Sequence, residues 1–145
     1  MHMPEESPLQ LSIQKDISAR LMGEPDPVSK LRPIVEELLR AELKKPGAST
    51  KPVLRDVCHG AMGAMVLLNK DVRHGSVEVL KAVSVFITER SGDPMTTMSY
   101  ALDGIARIAP AIDRKLVAEI GAEIESAFMG AGQMFNDIIN KQKKQ

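Results

Sequence analysis

The stretch Cys58-His59-Gly60-Ala61-Met62-Gly63-Ala64-Met65 decides how this chain is read. It holds the only cysteine, a histidine beside it, and two glycines three positions apart. On a helix, Val57, Ala61, Ala64 and Leu68 form one apolar stripe, while Cys58, Met62 and Met65 form a second. A helix that is apolar or bare in nearly every direction is one surrounded by neighbours. Each interior glycine costs a helix about 1 kcal/mol relative to alanine, so close approach of another backbone has to offset it. The stretch is therefore expected to be the central helix of an all-α fold, with Gly60 and Gly63 at close helix contacts. Gly130 and Gly132 in "MGAG" are expected to play the same part, the two small-residue zones facing each other.

Composition agrees with a single helical domain. The 145 residues include nine Met but no Trp, one Tyr and three Phe, so the core must be built from aliphatic and thioether side chains. Lys and Arg together number 19, as do Asp and Glu, giving a formal net charge of +0. Such a chain lacks the broad positive field of nonspecific nucleic-acid binding, and no nucleic-acid partner is expected. No stretch reaches the roughly 18 apolar residues of a membrane span. One cysteine rules out an internal disulfide framework and suits a reducing, cytoplasmic setting. The acidic start "MHMPEESPLQ" does not read as a secretory signal, and Met1 and His2 read as a cloning remnant ahead of Met3.

Punctuation divides the chain into five to six helices. Pro8 to Met22 follows Ser7 as cap, with Leu9, Ile13, Ile17 and Leu21 as its stripe, and "GEPDP" links it onward. Residues 1–26 are thus expected to be an amphipathic segment with its linker, and 27–145 the bundle domain. After Asp26, Pro33 is expected to delay the second helix to about Arg32, running to Lys45. The third spans Pro52 to Lys70, capped by Ser49 or Thr50. The fourth runs from Ser76, as cap, to Arg90, and the fifth from Pro94, behind Asp93, to Ile108. The last is expected to be one long helix, Ile112 to Lys141, roughly 45 Å at about 1.5 Å per residue. Along it Val117, Ile120, Ile124, Ala127, Ala131, Met134 and Ile138 keep heptad spacing.

Chemistry-bearing motifs are sparse. Cys58 lies beyond the first turn of its helix, and His59 projects about 100° away, so a buried structural cysteine is expected. His59 reads as a boundary residue near Asp56, and His74 as a turn residue. The histidines and the cysteine never adopt a paired ligand spacing, so no metal and no cofactor is expected. Glu119, Glu123 and Glu125 read as solvated, and Asp103 as an i,i+4 partner of Arg107.

The sequence accordingly points to a non-enzymatic interaction or regulatory protein that works through helix–helix contacts with itself or a protein partner. Shorter helices leave part of a 45 Å stripe uncovered. Phe128, Met134, Phe135, Ile138 and Ile139 are the interface candidates, with a homodimer as the expected cover. The alternative is a bundle binding a small apolar ligand in a pocket lined by Met62, Met65, Met95, Met98 and Met134.

Overall fold

The computed structural model describes residues 6–89 and 92–143. Residues 1–5, with the expected cloning remnant, lie outside that range, as do 90–91 and 144–145. Among the described residues the fold is all α: α1 (Pro8–Leu21), α2 (Pro27–Leu43), α3 (Thr50–Leu67), α4 (Val72–Glu89), α5 (Pro94–Ala106), α6 (Arg114–Ala127) and α7 (Ala131–Lys143). A 3₁₀ turn, Ala109–Ala111, joins α5 to α6.

Local chemistry sets most boundaries. Ser7 caps α1 by accepting from the Gln10 N–H at 3.0 Å, and Asp113 caps α6 through Leu116 at 2.7 Å. Asp93 accepts from Met95 at 3.0 Å ahead of Pro94, the expected start of α5. α3 ends in a Schellman motif: Asn69 sits in the left-handed region at φ 56°, with Lys70 N–H on Met65 O and Asn69 N–H on Val66 O.

Two expected boundaries are corrected. α2 is continuous from Pro27 through Pro33 instead of starting near Arg32. Leu31 is fully buried and Val28 packs against the core, so burial of the first turns outweighs the one hydrogen bond Pro33 cannot make. α4 begins at Val72, not Ser76: Asp71 accepts from the N–H groups of Arg73 and His74, which places His74 in a helical first turn. Ser76 is instead buried, its hydroxyl donating to Arg73 O at 2.7 Å.

The largest correction concerns the C-terminus. The expected 45 Å helix is two helices packed on each other as a hairpin. Phe128 is extended at φ −139° and Gly130 is left-handed at φ +91°, so the chain reverses there. Glu125, expected to be merely solvated, makes the turn work. Its carboxylate accepts from the N–H groups of Gly130, Gly132 and Gln133, satisfying the open N-terminus of α7. Those bonds hold the Glu125 carboxyl below its ordinary range. The heptad stripe closes in part on the chain's own core, with Ile120, Ile124 and Ala131 buried and Ala127 exposed, and beside it Phe135 is 1% exposed and Ile139 6%.

α3 is the centre of the fold. It packs against α1, α2, α4 and α5, and Val57, Ala61, Met62, Ala64 and Met65 are all completely buried. α1 contributes Ile13, Ile17 and Leu21 to the same core. α6 and α7 close the assembly against α4 and α5 respectively.

The hairpin and the single long helix respond oppositely to one substitution. A left-handed non-glycine residue costs about 1–2 kcal/mol, whereas alanine favours a helix interior. We expect Gly130→Ala to lower stability by that amount in urea unfolding. A stabilised variant would restore the uninterrupted helix.

Candidate functional site

The most specialised surface inside the molecule is the seam between α1 and α3. A Cβ at Gly60 would lie 2.8 Å from the backbone oxygen of Gln10 and 2.8 Å from Ile13 Cβ. The first of these neighbours is backbone and has no freedom to yield. At Gly63 a Cβ would strike the side chain of Gln14, with Cδ at 3.0 Å, and that flexible chain can swing aside. Gly60 is therefore the strict position of the pair. Gly132 meets a different partner from the one expected: its Cβ would lie 2.5 Å from Glu125 Cβ and 2.7 Å from Gly121 O. The two small-residue zones each serve their own helix pair. Gly130 is a turn residue with open space around it.

α1 buries polar groups along with its apolar stripe. Ile13, Ile17 and Leu21 are buried as an apolar stripe, but Gln10 is 1% exposed and Ser18 8%. Gln10 Nε2 donates to Gln14 Oε1 at 2.8 Å. Gln10 Oε1 and Ser18 Oγ are buried without a hydrogen-bond partner. Such atoms each cost about 1–3 kcal/mol of desolvation. Gln10 and Ser18 lie outside the residues that the apolar spacing of α1 singles out. The signal was available: Gln10, Gln14 and Ser18 recur every four residues, one position along from Leu9, Ile13 and Ile17.

On another side α3 meets α5 just as closely, Gly104 packing onto the Arg55 backbone. A polar group flanks this contact. Arg55 Nε is 3.0 Å from Asp56 Oδ1, and Arg107 is 3.5 Å from Asp103, while Arg107 Nε is buried without a partner. His59, only 7% exposed, is more enclosed than a boundary residue. Burial, reinforced by the Arg107 charge, pushes its imidazole down to about 4 against the opposing pull of Asp56 and Asp103. Cys58 is completely buried, and burial raises its thiol well above the ordinary range. A neutral imidazole and a protonated thiol in such surroundings are packing groups, without the thiolate that nucleophilic chemistry needs.

The remaining candidates are dispersed. Of the interface residues, Phe135 and Ile139 are core, while Phe128, Met134 and Ile138 are partly buried against it. The continuous exposed patch that motivated a homodimer is absent because the hairpin covers it. Among the methionines, Met62 and Met65 are fully buried, Met98 and Met134 are partly buried, and Met95 is 58% exposed. Met65 Cε lies 3.0 Å from where Gly75 would carry a Cβ, so this space is filled. Among the described residues, no group of three or more His, Cys, Asp or Glu side chains is placed to hold a metal, and no helix is long and apolar enough to cross a membrane.

Comparison of the chain with protein-family models, curated proteins and solved structures gives no match.

His59 gives the fold a pH dependence. Its folded value lies below the unfolded one, so the unfolded chain takes up the proton first. The stability it protects is complete above about pH 6.5 and is lost as pH falls towards 4. His74 has the opposite sign: pairing with Asp71 raises it, so its contribution is present below pH 6.5 and fades above. We expect the urea midpoint to fall between pH 6.5 and 5, and His59→Gln to flatten that fall. An unchanged slope in His59→Gln would show that the imidazole is not held neutral.

Proposed function

We propose that this is a non-enzymatic helix-recognition protein, in which α3 offers a glycine-lined seam to an amphipathic helix. The observation that supports the reading is the pair formed by α1 and α3. The first helix, joined to α2 by a short Gly- and Pro-containing link, docks at van der Waals limit on the most buried helix of the molecule, yet buries polar atoms that find no partner. Docking an apolar helix face into a groove is a recurrent mode of protein recognition, read as anchors at i, i+3, i+4 and i+7. Ile13, Ile17 and Leu21 repeat its i, i+4 step.

The reading differs from the sequence expectation in its surface. Phe135 and Ile139 are taken up by the core and Phe128, Met134 and Ile138 are partly buried, so a homodimer through these five residues has weaker support than the seam. The Met-lined ligand pocket has weaker support than the seam, because its central methionines are packed into the core.

Ile17→Asp places a carboxylate in the seam and should release α1 while the rest of the bundle stays helical. Extract of the producing cell is passed over this variant, immobilised after its helix content has been checked by circular dichroism. We expect a protein partner to be retained, and to be lost when Gly60→Leu is added, since the leucine fills the seam. Retention indifferent to Gly60→Leu, or no retention, would contradict the reading.

A further inference from the structure

We propose that α1 is a built-in plug, displaced by a partner helix that carries alkyl side chains where α1 carries Gln10 and Ser18. This rests on the seam reading above and adds the chemistry of the partner and the way access to it is controlled.

The seam already shows what class of occupant it takes, because α1 is seated in it. It requires a helix whose backbone can lie against Gly60, with alkyl anchors spaced as Ile13, Ile17 and Leu21 are. α1 meets that requirement with two faults. Gln10 Oε1 and Ser18 Oγ give up water on docking and gain no partner. A helix with methionine and alanine at those two positions keeps the shape and gives up only the bond from Gln10 Nε2 to the half-buried Gln14 Oε1. A second copy's α1 carries the same two unpaired atoms, so exchange between copies relieves neither. The relief comes only from a different sequence.

The attachment of α1 suits release. Only residues 22–26 separate it from α2, with Gly23 left-handed at φ +80°. Its one ion pair to α2, Arg20 to Glu37 at 2.7 Å, is solvent-exposed, and such pairs contribute little. The plug is therefore held mainly by α3. A short tether gives it an effective concentration on the order of millimolar, which an incoming helix must outcompete. Relief of an unpaired buried atom is worth on the order of tenfold in affinity. Two such gains lower the concentration for half-displacement from about 1 mM to about 10 µM.

The test adds synthetic peptides to the intact wild-type protein and follows hydrogen exchange of the 8–21 amides by mass spectrometry. One peptide has the sequence of residues 7–22, and a second carries Gln10→Met and Ser18→Ala. A third carries those two changes together with Ile13→Asp and Ile17→Asp. We expect the second to release α1 with half-effect near 10 µM, the first to require about a hundredfold more, and the third to do nothing. Equal potency of the first two peptides, or no release by the second, overturns the plug. If the Gly60-dependent capture described above survives that failure, the seam reading stands without the plug. Concentration-dependent dimers that trade labelled α1 between copies in the absence of peptide would also overturn it, making a second copy the occupant.

Discussion

The approach of α1 and α5 onto α3, close enough that a single methyl group would collide, governs the rest of the structure. Gly60 lies under the Gln10 carbonyl and Gly104 on the Arg55 backbone. Each contact trades helix propensity for proximity, about 1 kcal/mol per glycine, and is sustained by the buried area that close packing adds. Because α3 is approached on so many sides, the residues it carries are drawn into the interior whatever their chemistry. Cys58 and His59 look reactive as a dipeptide, yet the packing that creates the hub leaves them protonated and neutral respectively.

The same device, used at the C-terminus, converts one helix into two. Gly132 lets α7 come down on the Gly121 carbonyl, Gly130 supplies a backbone conformation open to glycine, and the Glu125 carboxylate satisfies the new helix start. Reversal brings Phe135 and Ile139 back to the core, where Phe135 is one of the largest fully buried side chains. The buried part of the apolar stripe is thus taken up by the chain's own fold.

Features set within a few residues were legible in the sequence. Ser7, Asp93 and the proline after each cap place helix starts correctly, and the bare surface of residues 58–65 identifies the central helix. Features set by tertiary contact were not. The Pro33 penalty is visible in the sequence, whereas the burial of Val28 and Leu31 that outweighs it and starts α2 at Pro27 is set by tertiary contact. "MGAG" reads as the small-residue zone of one continuous helix because the heptad pattern continues across it. Periodicity reports which side of each helix is apolar, and says nothing about whether two halves share one axis. In the seam, the apolar stripe of α1 is legible from its spacing, but the close approach that buries Gln10 depends on Gly60, which lies under the Gln10 carbonyl and is fifty residues away in sequence. The polar periodicity was visible and its consequence was not.

The central claim is that α1 is docked on α3 as a separable element, held by close contact and weakened by its own polar atoms. Local opening in native proteins spans free energies from near zero up to that of global unfolding, and hydrogen exchange resolves the difference. Native-state exchange of the wild-type protein as a function of low denaturant tests the claim most directly. The account predicts that amides of α1 exchange through an opening well below the global unfolding free energy, while those of α3 exchange only on global unfolding. Merging of the α1 and α3 amides into one global isotherm would contradict it.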